Sequence, residues 1–127
     1  MPVFSYDHIH LRSRDPLATA KFYERMFDAT IIESVQDGQP RIDLDLNGLT
    51  IFIARVPADS NMPDKPVGQH LGLEHFGLRV DNLDETAAEL KRRGATFATE
   101  PRQSRPGVKI AFIEAPENVQ IEIIERS

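Results

Sequence analysis

His8-Ile9-His10-Leu11-Arg12-Ser13-Arg14-Asp15-Pro16 opens the first regular stretch of the chain, and His75-Phe76-Gly77-Leu78-Arg79-Val80-Asp81-Asn82-Leu83 restates its pattern in the second half. In each copy a strand-favouring run carries a histidine, and a helix-capping side chain follows seven residues later, Asp15 in one and Asn82 in the other. Side chains alternate across a strand, so Tyr6 to Arg12 sets His8, His10 and Arg12 on one face and Ile9 and Leu11 on the other. Asp15-Pro16 then joins a cap to a proline at the first helical position. Leu17, Ala20, Tyr23, Met26 and Phe27 recur at helical spacing, which predicts a helix from Pro16 to Phe27 with that stripe buried.

Three strands are expected next, Thr30 to Val35, Arg41 to Leu46 and Leu49 to Val56, joined by turns at Asp37-Gly38 and Asn47-Gly48. The segment 57–72 carries three prolines and few large apolar residues, as a linker would. Beyond it the order restarts. Glu74 to Val80 reads as a strand, Asn82 with Glu85 has the form of a capping box, and Leu83, Ala87 and Leu90 line one helix face. Lys91, Arg92, Arg93 and Gly94 close that helix with a basic last turn and a terminal glycine. Ala95 to Thr99, Val108 to Ala115 and Val119 to Arg126 supply the last strands, with Pro116-Glu117-Asn118 as the final turn. The reading is an α+β fold in a single domain, made of two βαβββ half-modules over about 5–56 and 73–126.

The 127 residues carry a formal charge of −5, with Lys and Arg dispersed along the chain, which argues against a nucleic-acid partner. There is no cysteine, so thiolate chemistry is excluded and any metal falls to imidazole and carboxylate. No apolar run approaches the ~20 residues of a membrane span, and the start lacks a signal-peptide pattern, so no membrane role and a cytoplasmic location are expected.

The offsets extend to the ends of the two halves. Ile51 and Ile53 answer Ile121 and Ile123, which sets Phe52 opposite Glu122. Gln120, Glu122 and Ile124 face away from the packed row of the last strand, and His75 faces away from Phe76 and Leu78. Taken singly, a strand histidine or a glutamate near a terminus is usually structural or solvated. The shared offset is what raises His8 and His75, since unrelated surface histidines have no reason to occupy one position of a repeat. With Glu122 they form a nitrogen and oxygen set suited to Fe(II), Mn, Ni, Co or Zn. His10 shares the face of His8 and reads either as a general base near neutral pH or as a rim histidine. Arg12, Arg79 and Lys109 would favour an anionic substrate if they faced the same side. Tyr23 is read as core with its hydroxyl at the edge.

The stretches HIHLRSRDPLATAKFYERMF from His8, HFGLRVDNLDETAAELKRRGA from His75 and APENVQIEI from Ala115 resemble the recurrent motifs of the vicinal oxygen chelate superfamily. That superfamily includes glyoxalase I, methylmalonyl-CoA epimerase, fosfomycin- and bleomycin-resistance proteins and extradiol dioxygenases. The resemblance implies paired βαβββ modules forming an open, barrel-like cleft, commonly in a homodimer. It implies one divalent metal held by His8, His75 and Glu122; Glu122 and, from its place on the face of His8, His10 are the catalytic candidates. Where glyoxalase I has a further carboxylate and the epimerase a glutamine, this chain has Phe52, which then becomes a wall of the substrate pocket; Asp43 or Asp45 is a possible substitute, more simply read as exposed or salt-bridged. A small-molecule substrate chelated through vicinal oxygens, in a glyoxalase-I-like lyase or isomerase reaction, is the leading expectation. An Fe(II) ring-cleaving dioxygenase fits the three-ligand set. A metal-free, drug-sequestering binder of the bleomycin-resistance type uses the same fold, though the retained ligand residues speak against it.

Overall fold

The computed structural model describes residues 2–57 and 59–127. The chain divides into two compact units, Met1–Met62 and Pro63–Ser127.

In the first unit β1 (His8–Ser13) leads into α1 (Pro16–Phe27), followed by β2 (Thr30–Gln36), β3 (Gln39–Leu46) and β4 (Leu49–Arg55). The sheet order is β1-β4-β3-β2, with β1 parallel to β4 and the remaining pairs antiparallel. Two hairpins therefore build most of the sheet, and α1 carries the chain from β1 at one edge to β2 at the other. Both hairpin turns, Asp37-Gly38 and Asn47-Gly48, hold positive φ at both central residues, the backbone that matches the right-handed twist of the flanking strands. Helix α1 starts where Asp15 accepts from the Ala18 N–H at 3.2 Å. It packs on the face carrying Ile42, Leu44, Ile51 and Ile53, all buried. Pro16, Thr19, Ala20, Tyr23 and Met26 form its buried stripe, and Thr19 joins by bonding Ser13 at 2.7 Å inside the core. Leu17, expected in that stripe, is 41% exposed, because the buried face begins at Pro16 and turns one position away from it. Tyr23 is fully buried, hydroxyl included, and does not reach the edge.

The second unit repeats the plan with β5 (His75–Arg79), α2 (Leu83–Arg92), β6 (Phe97–Arg105), β7 (Val108–Glu114) and β8 (Gln120–Arg126). Its order is β5-β8-β7-β6, with β5 parallel to β8. Asn82 caps α2 through the Glu85 N–H at 3.0 Å, and Gly94 follows the last turn at positive φ. Glu125 of β8 adds an acceptor for the Leu83 N–H at 2.7 Å, placing a carboxylate on the positive end of α2 and tying helix to sheet. Leu83, Ala87 and Leu90 bury against Ile110, Ile113, Ile121 and Ile123.

The sixth strand departs most from the expectation. It does not stop at Thr99 but runs on to Arg105, through Pro101, with register shifts on both sides of Thr99. A proline lacks the N–H that an inner strand must donate; β6 is the sheet edge, where that donor is not needed and bulges are tolerated. Among the described residues no helix is long and apolar enough to cross a membrane.

Candidate functional site

The register fixes which residues of the two sheets correspond. In the first unit His8 lies beside Thr50 and His10 beside Phe52. In the second, His75 lies beside Gln120 and Gly77 beside Glu122. Phe52 and Glu122 therefore occupy one position of the repeat, as do His10 and Gly77. Ile121 and Ile123 are buried toward α2, while Gln120 and Glu122 are half-buried on the opposite, helix-free face with His75.

On that face of the second unit, His75 Nε2 and Glu122 Oε1 stand 3.8 Å apart. The far nitrogen, Nδ1, is taken by Glu74 Oε1 at 3.1 Å, and the ring meets Phe112 edge-on with centroids 4.9 Å apart. Gly77, beside Glu122 in register, adds no side chain here; a Cβ there would meet Glu122 Oε1 in ordinary van der Waals contact at 3.9 Å. Two donor atoms thus face a common volume with no side chain between their strands, and the imidazole is held from behind.

The first unit arranges the same positions differently. His8 lies with its ring centroid 4.3 Å from that of Phe52, and its Nδ1 is 2.6 Å from Asp7 Oδ2. The carboxylate neighbouring Phe52 in register is Asp43, on β3. Asp43 is largely buried and accepts from Arg41 Nε at 2.9 Å, so it is the salt-bridged carboxylate of the two readings. Its Oδ1 is buried with no hydrogen-bond partner among the described residues. The Arg41 guanidinium lies 4.5 Å over the Phe52 ring and is further held by Gln36. A cavity of about 550 Å³ opens here, lined in part by His10, Arg41, Asp43 and Phe52. His10 shares it with an aromatic wall, a fixed cation and an underused carboxylate, a size and mixture found in small-molecule sites.

Among the described residues no group of three or more histidine, aspartate or glutamate side chains is gathered closely enough to hold a metal by itself. His75 and Glu122 are brought together; His8 belongs to the other unit. The donor set nonetheless suits a divalent ion: His75 offers Nε2 beside a carboxylate oxygen, with its Nδ1 engaged as ligating histidines require. Arg12 reaches the Arg55 carbonyl at 3.5 Å, and Lys109 pairs with Asp84 of α2 at 3.1 Å instead of joining the histidine face. The acidic residues directly preceding both histidines were not singled out by periodicity, which sorts neighbouring strand positions onto opposite faces.

Comparison with known proteins adds a family and a fold. The model of the Glyoxalase/Bleomycin resistance protein/Dioxygenase superfamily matches residues 5–123. A probable chloroplastic lactoylglutathione lyase of Arabidopsis thaliana is 38% identical over 56 residues, 43% of this chain; the match spans 16% of that protein's length. Among solved structures, a glyoxylase/bleomycin resistance protein/dioxygenase domain from Frankia sp. EAN1pec superposes with TM-score 0.77 at 20% identity, covering 99% of this chain and 100% of that one. A glyoxalase family protein from Enterococcus faecalis gives 0.74 at 24% identity, covering 95% and 97%. A mutant of the fosfomycin resistance protein FosX from Listeria monocytogenes, complexed with Mn(II) and a dihydroxypropylphosphonic acid, gives 0.72 at 19% identity, covering 99% and 93%.

Proposed function

From membership of the Glyoxalase/Bleomycin resistance protein/Dioxygenase superfamily, to which this chain belongs, we propose that the protein is a divalent-metal-dependent enzyme acting on a small molecule with two neighbouring oxygens. The reaction we assign is a glyoxalase-I-like isomerisation or lyase step. The observation that carries this reading is the facing of His75 Nε2 and Glu122 Oε1 at 3.8 Å on the helix-free face of the second sheet.

His8, His75 and Glu122 are the protein ligands in this proposal. A divalent ion among them supplies Lewis acidity to the substrate oxygens. The chain's own residues do the rest. Phe52 offers an apolar wall, and the bound Arg41 keeps a fixed positive charge at the edge of the same cavity. His10 takes a proton from one oxygen-bearing carbon and returns it to its neighbour. Glu122 is the second group able to accept a proton. Such a step is redox-neutral.

A homodimer is part of the proposal, supported by apolar side chains at equivalent lead-in positions: Phe4 and Tyr6, ahead of His8, are 93% and 66% exposed, and Leu71 and Leu73, ahead of His75, are 99% and 81% exposed. A second reading has one favouring observation. With Phe52 at the position of Glu122, three protein ligands leave positions for substrate and dioxygen, the facial-triad arrangement of Fe(II) oxygenases.

The experiment is metal analysis of purified protein, its mass in solution, and turnover of an α-oxoaldehyde thiol adduct and a catechol. Nickel, zinc, cobalt or manganese at one per chain with turnover of the thiol adduct is expected. Iron with oxygen-dependent catechol cleavage transfers the assignment to the dioxygenase. Failure to take up any divalent ion overturns both in favour of a metal-free binder.

A further inference from the structure

We propose that Asp7 and Glu74 are positioning residues that hold the His8 and His75 imidazoles in the Nδ1–H form and so present Nε2 of each to the metal; this rests on the metal reading above. The same contact is made twice, each time by the residue directly ahead of the histidine. Asp7 Oδ2 is 2.6 Å from His8 Nδ1, and Glu74 Oε1 is 3.1 Å from His75 Nδ1.

Adjacent residues inside a strand point to opposite faces, and a carboxylate could not then reach its neighbour's ring. Here β1 begins at His8 and β5 at His75, so each acid lies one residue short of the pleat, where the backbone is free to lay its side chain against the histidine. The lead-ins share little: Ser5-Tyr6-Asp7 in one unit, Leu73-Glu74 after Gly72 in the other, with carboxylates on arms of different length. Two unlike sequences arrive at one geometry.

A carboxylate accepts hydrogen bonds only, so the nitrogen facing it carries the proton and the other nitrogen keeps its lone pair. In the second unit that other nitrogen stands 3.8 Å from Glu122 Oε1, beyond hydrogen-bond reach, so the proton stays with the closer Glu74 contact at 3.1 Å. A ring contact steadies each imidazole as well, Phe52 at 4.3 Å for His8 and Phe112 at 4.9 Å for His75. Asp7 is 86% exposed, so its contact contributes little to stability; its effect falls on tautomer and ring orientation.

The test uses the full chain in its metal-free and metal-loaded forms. Long-range proton–nitrogen NMR at about pH 8, where unperturbed imidazoles are neutral, reads the tautomer of each histidine without any metal. Wild type should show Nδ1–H at His8 and His75. Asp7→Ala should move only His8 toward Nε2–H, and Glu74→Ala only His75. Chelator competition should show each variant weakening divalent-ion binding by roughly tenfold to a hundredfold, the range for loss of a partner behind a ligating histidine. Asp7→Glu and Glu74→Asp should restore both readouts. An Nε2–H pattern in wild type, or tautomers unmoved by alanine, overturns the proposal. So does an unchanged dissociation constant in a variant whose tautomer has changed. If wild type takes up no divalent ion, the metal reading fails, while the tautomers still decide whether the acids position the rings.

Discussion

The two modules carry the same pair of residue types beside the helix-free face of the sheet, but in crossed order. In the first, the acid is on the third strand and the phenyl on the fourth, Asp43 against Phe52. In the second, the phenyl is on the third strand and the acid on the fourth, Phe112 against Glu122. The fourth strand is the one lying parallel to the histidine-bearing strand. The crossing therefore decides what each histidine meets. His75 meets a carboxylate beside it and a phenyl edge farther off; His8 meets a phenyl, with the acid one strand removed and bound to Arg41. One duplicated frame thus gives a half whose histidine faces a carboxylate and a half whose histidine faces a phenyl beside a cavity. The crossing needs only these four side chains, and the register that pairs them is the same in both modules.

The largest effect should come from removing the acid that the crossing leaves free. Glu122→Ala should abolish stoichiometric binding of a divalent ion, measured by metal content after dialysis. Asp43→Ala should leave the stoichiometry unchanged, because Arg41 already claims that carboxylate. Loss of metal in both variants would break the comparison, since Asp43 would then serve the ion despite its salt bridge.

A smaller change should follow from undoing the crossing. Asp43→Phe combined with Phe52→Glu writes the second module's pair into the first and brings a carboxylate beside His8. Metal affinity should tighten by about tenfold, roughly 1.4 kcal/mol, in a chelator competition. The single change Phe52→Glu should gain less, because the guanidinium of Arg41 lies over that position and would pair with the new acid. Equal or weaker affinity in a folded double variant would show that the fourth-strand position of the first module does not face the ion.

Most of the frame was legible from residues that act locally. Asp15-Pro16, Asn82, Asp37-Gly38 and Asn47-Gly48 punctuate the chain through caps and turns whose geometry depends on a few neighbours, and each lies where the pattern put it. The extension of β6 past Pro101 was not legible, because whether a proline is tolerated depends on the strand being at a sheet edge, a property of topology. Glu125 bonding the Leu83 N–H likewise joins residues 42 positions apart. For the site, the repeat offset paired His8 with His75 and Phe52 with Glu122. It said nothing of Phe112 or of Arg41 over Phe52, since cross-strand neighbours emerge only with the register.

The smallest predicted effect lies in the cores, at the position eight residues beyond each helix cap: Tyr23 in the first module, Leu90 in the second. Both are buried, but Tyr23 brings a hydroxyl with no hydrogen-bond partner among the described residues, and burial pushes its phenol well above its ordinary range. An unpaired buried polar group costs about 1–3 kcal/mol, and Leu90 imposes no such cost on its own module. Tyr23→Phe keeps the ring contacts with Phe22 and Phe27, at 5.3 and 6.0 Å, and removes only the oxygen. Stability should rise by about 1 kcal/mol, less than the full cost because a small void replaces the hydroxyl. The readout is the denaturant midpoint at constant slope. The sign with pH follows from the raised phenol: the unfolded tyrosine ionises from about pH 10 while the folded one stays neutral, so this residue's share of stability is intact below that pH and falls above it. The phenylalanine variant should lose that alkaline decline at this site. A destabilised variant, or one with the same alkaline decline as wild type, would mean that the Tyr23 hydroxyl has a partner in solution and that the two cores are better matched than their sequences suggest.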